Sequence, residues 1–287
     1  LKRALVIWVH LSVLPAGGQI YVMPEKPPDA RAFQQVPGPG IRFRMNEAQA
    51  TEAPWIDSNA WRIRRGLQKV AYPKLPAGAA ALAAAEAFTY GVEAILNPDP
   101  ADRQDLDSML RFLKEQERPR LPAMANIAIL DDRSPEIGEV LNMLTRRNLL
   151  YEVVSAPSRR HDLTVRLGTK DFPRDAARNP SDFAARVRAR LGDDKRLVRV
   201  FGSNTMIVHL TGDGTKARLY LLSYGRRRNQ QSEEVRVRVL GRWRAPKVAA
   251  YAAPEAQLAD VQTLPDATEF TVPLFRVLAI VDLEATK

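Results

Sequence analysis

Between residues 77 and 201, apolar segments of helical period alternate with short apolar runs, and beyond Gly202 no helical pattern recurs. This change of period constrains the fold more than any other feature of the chain. Residues 79–90 are an alanine-rich stretch with little side-chain entropy to lose in a helix, ended by Gly91. Residues 92–96 are a short apolar run bounded by Asn97-Pro98. A second helix is expected over 101–116, because Leu106, Met109, Leu110 and Leu113 share one face. Strands are expected at 126–130, 149–154, 163–167 and 197–201, with helices opened by Ser134-Pro135 and Pro180-Ser181. Such alternation predicts an α/β domain over 77–201, a mostly parallel sheet with flanking helices.

After Gly202 the chain reads as strands. Residues 205–210 and 217–224 are joined through Thr211-Gly212-Asp213-Gly214, a hairpin signal. Val235, Val237 and Val239 alternate with Arg236 and Arg238, which predicts one buried and one wet face. With strands near 248–251, 269–272 and 277–283, a small antiparallel β-sandwich is expected over 202–287. Residues 19–76 carry Pro24-Glu25-Lys26-Pro27-Pro28 and Pro37-Gly38-Pro39-Gly40, which continue neither a helix nor a central strand. They read as an extended arm with short strands near 41–45 and 61–64.

The first 18 residues have the three-part layout of a secretory signal peptide. Lys2 and Arg3 precede an apolar run with only His10 polar, Pro15 breaks it, and Ala16-Gly17-Gly18 offers small residues before a cut at Gln19. The run is short of the roughly 20 residues of a permanent membrane span. A periplasmic or secreted location is therefore expected, with no stable transmembrane segment. The net charge of +10 favours anionic partners or simply solubilises the surface, and behind an export signal nucleic acid is not an expected partner. The absence of Cys removes disulfides, thiolate metal sites and a Cys nucleophile. Once His10 leaves with the leader, His161 and His209 remain without metal-ligand spacing, so no metal or cofactor is expected. Chemistry, if present, would run on carboxylates.

The segment NIAILDDRSPEIGEVLNMLTRRNLLYEVV resembles the opening of glutamine-amidotransferase-like domains, which follow the catalytic barrel in bacterial glycoside hydrolases of the β-galactosidase type. The tail VRVFGSNTMIVHLTGDGTKARLYLLSYG is similar to the β-sandwich that closes those proteins. The resemblance covers about residues 120–285 and implies a homo-oligomer, since such β-galactosidases trimerise through the amidotransferase-like domain. Without Cys the chain lacks the nucleophile of a true amidotransferase, and the arm plus one alanine-rich helix leaves no room for the eight strand–helix pairs of a catalytic barrel.

Two clusters are candidates for binding or catalysis. Trp55, Asp57, Asn59, Trp61 and Arg62 combine indole faces that stack on sugar rings with groups that bond hydroxyls. The same tryptophans would equally serve to hold the arm against its neighbour. Asp131, Asp132, Ser134 and Glu136 follow an expected parallel strand, where ligands of open α/β sheets sit, and suit a divalent cation or acid–base work. Capping of the next helix accounts for the same residues. Glu47, Glu52, Glu86 and Glu93 are marked only by being acidic, and Arg226-Arg227-Arg228 reads as a hairpin tip. The expected function is an exported carbohydrate-associated protein acting as a non-catalytic binding or assembly module. The alternatives are a glycoside hydrolase pairing Asp57 with Asp131 or Asp132, and an envelope scaffold on anionic surfaces.

Overall fold

The structure, a computed structural model, describes residues 18–42, 55–225 and 234–286. Residues 1–17 of the expected leader, Glu47, Glu52 and Arg226-Arg227-Arg228 lie outside the described residues. In chain order the elements are β1 (Ile20–Val22), β2 (Gln34–Gln35), β3 (Gly40–Arg42), β4 (Trp55–Asp57), α1 (Ala60–Arg64), β5 (Lys69–Tyr72), α2 (Ala80–Tyr90) and β6 (Glu93–Leu96). Then come α3 (Arg103–Glu115), β7 (Ile127–Leu130), α4 (Pro135–Arg146), β8 (Tyr151–Val154), β9 (Leu163–Arg166) and α5 (Pro180–Leu191). The chain closes with β10 (Val198–Phe201), β11 (Met206–Gly212), β12 (Lys216–Ser223), β13 (Val235–Leu240), β14 (Trp243–Ala250), β15 (Ala259–Thr263), β16 (Ala267–Val272) and β17 (Leu278–Ala285).

The fold is mixed α/β, with parallel and antiparallel sheets. The one mostly parallel sheet expected from the sequence is two separate sheets, β1-β6-β5-β2 and β8-β7-β9, each all-parallel. The arm expected over 19–76 is instead the source of β1, β2 and β5, three of the four strands in the first sheet. Residues 61–64, expected as a strand, are helical. Their polar–apolar alternation is overridden because Ser58 Oγ accepts the Ala60 N–H at 3.1 Å, starting a short helix whose Ala60 and Ile63 face inward three residues apart.

Strand β10 does not extend the parallel sheet. It pairs antiparallel with β13 in a sheet ordered β10-β13-β16-β15, which faces a second antiparallel sheet, β11-β12-β17-β14. Val208, Leu210, Leu219 and Leu221 of the second sheet share a core with Val235, Val237 and Phe270 of the first, as a sandwich requires. The opposite face of the β11-β12-β17 sheet is also buried. Ile207, Tyr220, Leu222 and Ile280 pack into a core with α2, α3 and β5, so the helices lie between this sheet and the first parallel sheet. A third core joins β7, β8, β9, α4 and α5, and Trp55 and Trp61 pack against it. The helical expectations hold here: Leu106, Met109, Leu110 and Leu113 are buried on α3, and Ser134 Oγ accepts the Ile137 N–H at the start of α4. No helix among the described residues is long and apolar enough to cross a membrane.

Candidate functional site

Strands β3 and β4 pair antiparallel, with Arg42 opposite Trp55 and Gly40 opposite Asp57. The Arg42 guanidinium holds the Asp57 carboxylate in a two-pronged ion pair. From Asp57 the chain turns into α1, and the turn is fixed from below by Glu86 of α2, which is fully buried. Glu86 Oε1 accepts from Ser58 Oγ at 2.6 Å, the Asn59 N–H at 2.9 Å and the Tyr224 hydroxyl at 2.6 Å. Its Oε2 accepts from the Tyr72 hydroxyl at 3.1 Å and from Asn59 Nδ2 at 3.4 Å. Burial, reinforced by the neighbouring Glu86 charge, pushes both tyrosine hydroxyls well above their ordinary range.

This anchor positions a cleft of about 460 Å³, within the usual range for small-molecule sites. All five residues of the tryptophan cluster line it: Trp55, Asp57, Asn59, Trp61 and Arg62. Helix α4 supplies the facing wall through Glu139 and Asn142. The helix comes close because Gly138 has no side chain: a Cβ there would lie 3.3 Å from the Trp61 ring. The indoles do two things at once. They pack against the α4 core and also border the cleft. The Arg146 guanidinium lies 3.6 Å from the Trp55 ring centre, and that of Arg62 lies 4.3 Å from the Trp61 ring centre.

Asn59 is engaged within the protein. Its Nδ2 donates to the Pro37 carbonyl at 2.9 Å as well as to Glu86, and its Oδ1 accepts from Arg62 Nη1 at 3.1 Å. Ser58 Oγ is likewise taken, by Glu86, Tyr224 and the Ala60 N–H. The cleft is further bordered by the two indoles, by Asp57 and Arg62, each with a partner inside the protein, and by Glu139 and Asn142.

Asp131 and Asp132 are not among the residues lining this cleft. The Asp131 side chain, 3% exposed, takes two hydrogen bonds from Arg65, at 2.7 and 3.0 Å, and one from the Arg133 N–H at 2.8 Å. Asp132 pairs with Arg174 and accepts the Ser134 N–H at 3.0 Å. Partial burial raises the Asp132 pKa, but the bonds from Ser134 and Arg174 overcome this and hold it at about 2. The acidic loop thus anchors the start of α4, and no group of three or more His, Asp or Glu suited to a metal occurs among the described residues. His209 is buried between the rings of Tyr90 and Tyr220, and its Nδ1 lies 3.2 Å from Arg64 Nη2. His161 lies 3.3 Å from Glu152. Glu139 and Asn142 were missed from sequence. The available signal was their spacing of three on the polar side of α4, opposite Val140, Leu141 and Leu144.

No protein-family model matches the chain, and no curated protein matches it in sequence. Among solved structures, α-L-fucosidase isoenzyme 2 from Paenibacillus thiaminolyticus superposes with a TM-score of 0.56 at 10% identity, over 73% of this chain and 57% of that one. Gan42B, a GH42 β-galactosidase, gives 0.42 at 7% identity over 87% of this chain and 53% of its own. A β-galactosidase from Rahnella sp. R3 gives 0.38 at 9% identity over 86% and 54%. The chain thus spans a little over half the length of each, and its fold is the one it shares with part of the fucosidase.

Proposed function

We propose that this chain is an exported, non-catalytic carbohydrate-binding protein whose ligand lies in the cleft between β4, α1 and α4. The observation that carries the reading is the convergence of Trp55 and Trp61 with Asp57, Arg62, Glu139 and Asn142 around one cavity. Aromatic walls stack on the C–H faces of a pyranose while carboxylate, amide and guanidinium bond its hydroxyls. The fold shared with part of a fucosidase supports the same class of ligand. In this reading β7 to α5 is an amidotransferase-like unit kept for assembly, and the chain is a homo-oligomer in the periplasm or medium. Isothermal titration of the full chain against a panel of neutral and acidic oligosaccharides tests it. Binding is expected, with Trp61→Ala weakening it at least about tenfold. Failure of every glycan to bind would end the proposal.

A second reading has one observation in its favour. Asp57 and Glu139 reach the same cleft from different elements, as the two carboxylates of a glycosidase would. Turnover of aryl glycosides, abolished by either Asp57→Asn or Glu139→Gln, would establish hydrolysis.

A further inference from the structure

Trp61 and Arg62 form a wall with a hollow on each side. The cleft described above occupies one side, and on the other a second hollow of about 440 Å³ is bordered by Gln34, Gly66 and Leu67 together with Arg62, Arg65 and Arg133. Among the described residues, no carboxylate lines this second hollow. Asp131 serves two of these cations: it is bonded by Arg65 and sits 3.7 Å from Arg133. Arg62 is half-buried, donates Nη1 to Asn59 Oδ1, and among the described residues has no carboxylate within ion-pair distance. Among the described residues, the lining of this hollow therefore carries three guanidinium groups, of which Arg65 and Arg133 share Asp131.

Burial presses the Arg62 pKa down against the opposing pull of the Glu86, Glu139 and Asp57 charges, and its guanidinium forms no ion pair with any of them among the described residues. A ligand oxyanion would supply the missing partner in the forked geometry that guanidinium favours. We propose that this hollow is an anion subsite continuous with the cleft, taking the carboxylate or sulfate of an acidic saccharide whose ring lies on the Trp61 side. The inference rests on the carbohydrate reading and narrows it from sugars in general to those carrying an oxyanion. The shared wall makes this geometrically direct, since Trp61 and Arg62 border both hollows.

The test compares three saccharide probes on the full chain by isothermal titration, tetragalacturonate, its uncharged methyl ester and a sulfated carrageenan tetrasaccharide, with inorganic sulfate as a fourth, sugar-free probe. At least one charged probe is expected to bind about tenfold or more tightly than the ester, and the tighter of the two identifies the oxyanion. Arg62→Met, which keeps apolar cover on Trp61 but also removes a cleft guanidinium, is expected to weaken the charged probe more than the ester and so to remove that preference. Arg133→Gln alters an exposed side chain, so its smaller loss of the same preference reads the hollow without risk to folding. Equal binding of charged and uncharged probes, or a charge preference unchanged in both variants, would overturn the anion subsite while leaving the sugar reading intact. Binding of inorganic sulfate lost in Arg62→Met, with no sugar bound at all, would overturn the sugar reading and retain the anion site.

Discussion

Glu86 accepts from Ser58, from the backbone and side chain of Asn59, and from Tyr72 and Tyr224, so one carboxylate ties the cleft segment to β5 and to the end of β12. Glu86→Gln keeps the shape but replaces one acceptor oxygen by a donor among groups that already donate. The tyrosine hydroxyls can rotate to accept, whereas the Asn59 N–H cannot. The expected loss is about 2–4 kcal/mol in urea unfolding, with weaker glycan binding because the segment bearing Trp55 to Arg62 loses its anchor. A variant as stable as the parent would show that the carboxylate does not hold this segment. The sequence marks Glu86 only as an acid within AALAAAEAFTY. A charge inside a helix that is otherwise apolar on every side must find buried donors, but its four partner residues lie 14 to 138 residues away, out of reach of any local pattern.

At the scale of elements, legibility follows the strength of local signals. Helices α2, α3 and α4 were readable because an alanine run, a four-residue apolar face and a Ser-Pro start are all local signals. Strands β1 and β2 span three and two residues, and β2 is Gln34–Gln35 with both side chains exposed, so periodicity has nothing to act on, whereas β5, as long as β7 to β10, is missed beside the Pro-rich runs. The end of α2 illustrates what local reading captures and what it omits. Gly91 stops the helix at φ +64°, as its place in the sequence suggests, but the contact that matters comes from afar. The Arg120 guanidinium donates to the Phe88 and Thr89 carbonyls at 3.3 and 3.0 Å, occupying the space a Gly91 Cβ would fill at 1.8 Å. Gly91→Ala is therefore expected to cost about 1–3 kcal/mol, from left-handed backbone strain plus displaced hydrogen bonds. In an Arg120→Met background the second part is already gone, and the same substitution should cost only about 1 kcal/mol. Equal costs in both backgrounds would show that Arg120 does not cap the helix.

At the scale of the whole molecule, the β11-β12-β17 sheet is the shared wall between the helical layer and the outer sheet, since its alternate residues enter different cores. The sequence predicts these strands but not their second buried face, on which His209, Thr211 and Arg218 alternate with apolar residues. All three are buried: His209 meets Arg64, Arg218 donates to the Gln116 carbonyl, and Thr211 donates to the Arg218 carbonyl across the strand pair. His209 makes that burial measurable. Burial first, then the nearby charges of Arg64 and Arg120, hold its pKa well below the ordinary value of 6.5. Between the folded pKa and about 6.5 the unfolded chain binds a proton that the folded chain refuses, so its stabilising contribution is complete above about pH 6.5 and declines as pH falls. The slope from this one group approaches, at most, about 1.4 kcal/mol per pH unit. Asp193, held at about 2 chiefly by its bond from Arg188, and Asp132, also at about 2, lose their contributions only as pH falls from about 4 toward 2, outside this window. His209→Asn places an amide oxygen near the Nδ1 position to meet Arg64 but cannot titrate. Urea unfolding between pH 7 and 5 should therefore show a decline in the parent that is flattened in the variant, whatever the variant's absolute stability. The same slope in both proteins would mean that His209 is protonated alike in the folded and unfolded chains, and that the central sheet is not sealed on its helical side.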